Sequence, residues 1–225
     1  MHPLDNLIWT ALGSRQANFA EGNGHARRFP PSVTALGALS TYTPESYQAL
    51  AELQDDGAPT ALFLDAPAHP PPGWTVVRSV PLMQMVLGDN AVPYEPMETV
   101  SLGTADSPEM VALAELTKPG PFGVRTHELG TYLGIRRDGK LAAMAGERLR
   151  VPGYTEISAV CTHPEHTGKG YARTLMGILI EHIRQRGERP FLHVRHDNTR
   201  AIELYKRMGF SERVLLHLLV VRKPG

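Results

Sequence analysis

The six residues Thr167-Gly168-Lys169-Gly170-Tyr171-Ala172 hold the strongest local signal for chemistry in this 225-residue chain. Two glycines one residue apart remove Cβ obstruction, so successive backbone N–H groups can face outward. A strand-like run precedes the turn and helical spacing follows it, which brings the positive end of a helix to the same place. Such a turn binds a phosphate or pyrophosphate. It is not a Walker motif, because the Gly-x-x-x-x-Gly-Lys-[Ser/Thr] order is absent, and it lacks the full dinucleotide fingerprint. The chain also carries its own control. Gly22-Asn23-Gly24-His25-Ala26-Arg27 repeats the Gly-x-Gly-x-Ala-Arg spacing of Gly168–Arg173, but Pro30-Pro31 soon afterwards bars a long following helix. An ordinary loop is expected there.

Two other groups of reactive side chains carry less. Cys161, the single cysteine, excludes a disulfide framework and any multi-cysteine metal site, and is expected to act as a small buried hydrophobe. His163, His166, His193 and His196 lack the spacing of a zinc motif and no cysteine or carboxylate set completes one, so no metal is expected.

The elements that must hold the turn are legible in outline. The spacing predicts helices over about 6–20, over 44–53 after the capping Thr43, and over 107–117 with Pro108 in its first turn. Strands are expected over 60–64, 74–87, 97–102, 131–136, 140–150 and 155–162, with a 67–73 loop between the first two and an Asp138-Gly139 hairpin turn between 136 and 140. From Tyr171 the period changes: Leu175, Leu179 and Ile183 fall at helical spacing up to Gly187. A strand over 191–195, a helix capped around Asp197-Asn198-Thr199 and ended by Gly209, and a last strand over 214–222 complete the order.

Taken together, Ile157–Pro164, Thr167–Ala172 and Asn198–Phe210 resemble the GCN5-related N-acetyltransferase (GNAT) superfamily, in its FR47-like branch. The resemblance implies an α/β (α+β) fold, a mixed and mostly antiparallel sheet flanked by helices, that uses acetyl-CoA as co-substrate and acylates an amine. It places the cofactor's pantetheine against backbone groups of Val160, Cys161 and Thr162 and its pyrophosphate on Thr167, Gly168, Lys169, Gly170, Tyr171 and Ala172, with Arg173 and Asn198 as further contacts. Thr167 stands where the superfamily has Gln or Arg, which points to the backbone rather than that side chain. Tyr205 matches the superfamily's general acid and Glu156, eleven residues before Thr167, its candidate base. Phe122, Arg125 and Thr126 precede the hairpin where relatives build the acceptor pocket.

Composition bounds the rest. The formal net charge is zero, but residues 1–96 carry 4 basic and 9 acidic side chains, and residues 97–225 carry 19 and 14. Proline is as uneven, with 12 of 19 in the first 96 residues. Two units are therefore expected: an N-terminal α/β domain over 1–95, a degenerate copy of the same fold or a lid, and an acetyltransferase domain over 96–225. The balanced charge argues against nucleic acid as a partner, and no apolar run nears the roughly 20 residues a membrane span needs. With no signal-like start, a cytoplasmic protein is the default. The expected partner is a small-molecule or peptide amine, and a homodimer is left open. The rival readings are a non-catalytic acyl-CoA sensor, which would keep the turn without needing Tyr205, and a groove that serves only subunit contacts.

Overall fold

The computed structural model describes residues 2–67, 69–90 and 93–225, so Ala68 of the expected 67–73 loop lies outside the described residues. In chain order the elements are α1 (Leu7–Leu12), β1 (Glu21–Gly22), β2 (Ala26–Arg28), β3 (Gly37–Leu39), α2 (Pro44–Leu53), β4 (Thr60–Leu64) and β5 (Thr75–Leu87). There follow β6 (Val100–Leu102), α3 (Ser107–Thr117), β7 (Tyr132–Arg137), β8 (Lys140–Val151), β9 (Tyr154–Thr162), α4 (Tyr171–Gln185), β10 (Arg189–Arg195), α5 (Thr199–Arg207) and β11 (Phe210–Arg222).

Eight strands form one sheet in the order β4-β11-β5-β10-β9-β8-β7-β6. Every named pair in it is antiparallel except β9 with β10. Alternation along the strands gives each face its own core. Ala143, Ala145, Ile157 and Leu192 meet Leu175, Leu179 and Ile183 of α4, while Met144 and Cys161 point the other way, to Met110 and Leu113 of α3. On that second face α1 adds Leu7, Ile8 and Leu12 against Phe63, Leu149 and Phe191. Each such fully buried side chain contributes about 1.5–3 kcal/mol.

The structure departs from the sequence expectations in three places. The first helix is only six residues long and ends at Gly13, where a Cβ would lie 2.5 Å from the Arg27 guanidinium, which itself stacks 4.1 Å from the Trp9 ring. The small sheet β1-β2-β3 was not legible, since its strands are two or three residues long. The composition break near residue 95 does not divide the sheet: β5 lies between β10 and β11, and β4 pairs with β11. Residues 1–95 thus supply two strands of the same sheet that holds the candidate turn. Proline marks the loops of that half rather than a folding boundary.

Residues 88–90 and 93–95, between β5 and β6, lie along α4. Arg184 donates to the carbonyls of Gly88 and Asn90 at 2.6 and 2.8 Å, Thr174 to that of Glu95 at 2.9 Å, and the Tyr94 hydroxyl to Glu181 at 2.9 Å. Gly177 is glycine for this reason: a Cβ there would sit 2.2 Å from the Tyr94 ring. No helix among the described residues is long and apolar enough to cross a membrane.

Candidate active site

The site begins where two strands separate. β9 and β10 pair only at Tyr154–Arg189, Thr155–Pro190 and Glu156–Phe191. Beyond that rung β9 keeps its other neighbour, with Met144 opposite Cys161 and Ala143 opposite Thr162, and β10 keeps β5 through Val194–Met83 and Arg195–Leu82. One edge of each strand therefore faces a gap with its backbone groups outside any ladder. Ala159, at φ 51°, and a register shift between Met144 and Gly146 mark a bulge that turns β9 at this point. Val160, Cys161 and Thr162 lie on this open stretch.

The glycine turn closes the outer end of the gap. Gly168 and Gly170 take φ of 78° and 81°, the left-handed region, and a Cβ on Gly168 would meet nothing within 4 Å. Gly170 caps α4 without any side-chain bond, so no side chain occupies the first amides of this 15-residue helix. The side chains around the turn divide. Thr167 donates to the Pro164 carbonyl at 3.1 Å, and the Tyr171 ring is buried, so both offer backbone only. Lys169 is exposed with Nζ 3.2 Å from His166 Nδ1, Ala172 is partly buried, and Arg173 donates Nε to the Pro93 carbonyl at 2.9 Å. Arg137 was missed by the sequence reading. It stacks 4.9 Å from the Tyr171 ring and donates Nε to its hydroxyl at 2.9 Å, which sets a further cation beside the helix start. Its position directly before the Asp-Gly turn was the available signal.

Tyr205 sits on α5, partly buried against the core shared with α4, its ring 6.1 Å from that of Phe210. Burial, with the nearby Cys161, pushes its hydroxyl up to about 12, so it stays protonated and able to donate. Cys161 is itself buried, and burial lifts its thiol to about 11; it behaves as a packing residue and not as a nucleophile. Asn198 Oδ1 accepts from the Ala201 amide at 3.2 Å as the cap of α5, which leaves its NH2 group unused by that cap.

Two expected roles are corrected. Glu156 is fully buried, with Arg148 donating at 2.6 and 2.9 Å and His193 Nδ1 at 2.7 Å. Burial alone would raise its carboxyl, but the Arg148 charge and these hydrogen bonds outweigh it and hold the group near about 2. A carboxylate so engaged is a poor proton acceptor, so Glu156 does not serve as the base. Thr126 is buried as well. Its hydroxyl donates to the Val33 carbonyl and accepts from the Gly123 amide at 2.7 Å, which clamps a loop and leaves nothing for a substrate. Arg125 is exposed but forks onto Glu128 at 2.8 Å, and Phe122 packs edge-on to Tyr132 at 5.8 Å. The four histidines do not converge: His163 and His166 have ring centres 6.0 Å apart, His193 is bonded to Glu156, and the described residues hold no group of three or more metal-binding side chains.

The model of the FR47-like protein family matches residues 132–218. N-alpha-acetyltransferase RimI of Mycobacterium tuberculosis is 33% identical over 142 residues, covering 57% of this chain and 88% of that protein. The [ribosomal protein bS18]-alanine N-acetyltransferase of Escherichia coli K12 is 29% identical over 123 residues, covering 52% and 82%. A crystal structure of a putative acetyltransferase from the GNAT family of Novosphingobium aromaticivorans superposes with a TM-score of 0.92 at 40% identity, over the whole of both chains.

Proposed function

We infer that this chain, which belongs to the GCN5-related N-acetyltransferase superfamily in its FR47-like branch and is an acyltransferase, moves an acetyl group from acetyl-CoA directly to the α-amine of a peptide. The observation that carries the reading is the gap between β9 and β10, open along Ile157–Thr162 and ending at the uncapped start of α4. That shape suits a long amide-bearing arm with a pyrophosphate at one end. Val160, Cys161 and Thr162 would pair with the arm; Gly168, Gly170 and the first amides of α4 would take the phosphates; Lys169 and Arg137 would add charge.

The chemistry needs a free amine, a polarised carbonyl and a proton for the departing thiolate. A backbone N–H of the open β9 edge can polarise the thioester carbonyl in place. The amine nitrogen forms the new C–N bond as the C–S bond breaks, and Tyr205 donates its proton to the sulfur. The amine loses its proton to water in the open gap, because Glu156 is held by Arg148 and His193. With Cys161 buried and its thiol raised, no acyl-enzyme is required.

The engagement of Glu156 by Arg148 and His193 bears on the acceptor. Deprotonating a lysine amine of pKa about 10.4 at neutral pH costs about 4–5 kcal/mol, against about 1 kcal/mol for an α-amine of pKa about 7.8. A site that relies on water favours the second, as do the names of the two similar enzymes, which specify N-alpha and alanine acetylation.

The test sets an alanine-started peptide against an N-terminally blocked lysine peptide with acetyl-CoA. At pH 7 the α-amine is expected to react with about 10²-fold higher kcat/KM, the gap narrowing as pH rises toward 10. Tyr205→Phe is expected to lower kcat about 10²-fold or more while acetyl-CoA still binds. Equal rates on both peptides would sink the α-amine assignment. If acetyl-CoA binds, no amine is acylated and Tyr205→Phe changes nothing, direct transfer itself is wrong.

A further inference from the structure

Beneath the split, five adjacent strands each place one polar side chain in a single hydrogen-bonded row. Arg148 of β8 donates to Glu156 of β9, and Glu156 Oε1 lies 2.7 Å from His193 Nδ1 of β10. His193 Nε2 lies 3.1 Å from Gln84 Nε2 of β5, and Gln84 Oε1 accepts from Arg213 of β11 at 2.7 Å. Arg213 ends the row on Asp5. Glu156 and Gln84 are 0% exposed, and the His193 side chain is 2% exposed.

Donor and acceptor capacities give this row one direction. Arg213 can only donate, so Gln84 must turn its oxygen to Arg213 and its NH2 to His193. An NH2 only donates, so His193 Nε2 accepts, and the ring hydrogen sits on Nδ1, where the Glu156 carboxylate receives it. The ring is further held by Phe63 at 4.8 Å and Phe191 at 5.8 Å between centroids.

Stability does not account for such a row, because a buried ion pair roughly breaks even against apolar residues of the same volume. Its place in the fold does. Glu156 is the last β9 residue paired with β10, opposite Phe191, and His193 is the next β10 residue on the same face. The Glu156–His193 bond is therefore one more rung, made of side chains, immediately past the point where backbone pairing stops.

We propose that His193 is a positioning residue for acyl transfer: by tying β10 to Glu156 it sets the closed end of the gap, against which the acyl end of the donor rests. The proposal rests on the transfer reading above, since a donor with its phosphates at Gly168–Gly170 extends inward along β9 toward this rung.

His193→Phe keeps a ring between Phe63 and Phe191 and deletes both bonds. In the full chain, kcat per folded molecule is expected to fall about ten-fold or more, because small displacements of reacting groups are costly, while the acetyl-CoA Kd stays within about three-fold. His193→Asn, which keeps a donor near the Nδ1 position, is expected to recover most of kcat. Should His193→Phe not fold, Gln84→Met removes the outer partner alone and is expected to give a smaller loss of the same kind. Nitrogen-15 NMR of the wild type reads the row independently of activity, with an Nδ1–H tautomer expected at His193. An Nε2–H tautomer overturns the proposal, as does unchanged kcat in His193→Phe, or a loss shared equally by kcat and Kd that His193→Asn does not recover. A wild-type protein that transfers no acyl group fails the function reading instead, before any variant is made.

Discussion

Two loops of this protein share the pattern Gly-x-Gly-x-Ala-Arg and do opposite things with it. Gly22–Arg27 joins β1 to β2 as a tight hairpin that consumes its own amides: Asn23 N donates to the Ala26 carbonyl at 2.9 Å, and His25 N and Ala26 N donate to Asn23 Oδ1 at 2.8 and 3.2 Å. Gly168–Arg173 leads into a 15-residue helix whose first amides no side chain caps. Glycine grants the same backbone freedom in both places. What differs is the element that follows, a returning strand that closes the loop on itself or a helix that leaves its donors and its positive end exposed. A phosphate site therefore resides in the pairing of turn and helix, and the glycines alone do not announce it.

The largest effect should come from putting a negative charge into the open turn. Gly168→Asp adds strain at φ 78° and negative charge at the proposed phosphate position. Acetyl-CoA binding by calorimetry is expected to weaken about 100-fold, which is about 2.7 kcal/mol. Binding within two-fold of wild type would mean the turn holds no phosphate. Next comes Gly22→Ala in the closed loop. A Cβ there would lie 2.3 Å from the Ala26 carbonyl oxygen at φ 121°, so unfolding stability should fall by about 1–3 kcal/mol, a drop in Tm of about 5 °C. Acetyl-CoA affinity of the folded fraction should not move, and a loss of affinity matching that of Gly168→Asp would erase the distinction between the loops.

Sequence reasoning separated these two loops because Pro30-Pro31 and the Leu175/Leu179/Ile183 spacing are local signals, and the order of strands and helices from residue 97 onward was legible for the same reason. Its failures were failures of distance. Nothing near Thr75–Leu87 says that this strand inserts between β10 and β11, more than a hundred residues later, and so the proline and charge imbalance mimics a domain boundary. Glu156 was placed on its strand correctly, but its partners Arg148 and His193 come from the strands on either side, and only their convergence reveals a carboxylate locked in an ion pair. Thr126 was misjudged in the same way, since its partner Val33 lies 93 positions away. Tyr205 stands out in the sequence only through its match to the superfamily's general acid, and the fold adds that it lies on α5, partly buried against the core.

The smallest expected effect is also the sharpest control. Gly24 is the second glycine of the closed loop, the counterpart of Gly170, and a Cβ there would meet nothing within 4 Å, with no positive φ to strain it. The Asn23 side chain already satisfies the following amides, so a carboxylate at position 24 has no free donor to block and no phosphate to repel. Gly24→Asp should leave stability within about 0.5 kcal/mol and acetyl-CoA affinity unchanged, measured by thermal unfolding and calorimetry beside Gly168→Asp. Equal loss of affinity in both variants would show that added negative charge acts through the field of the whole protein. Loss in Gly168→Asp alone ties the effect to a turn that opens onto a helix.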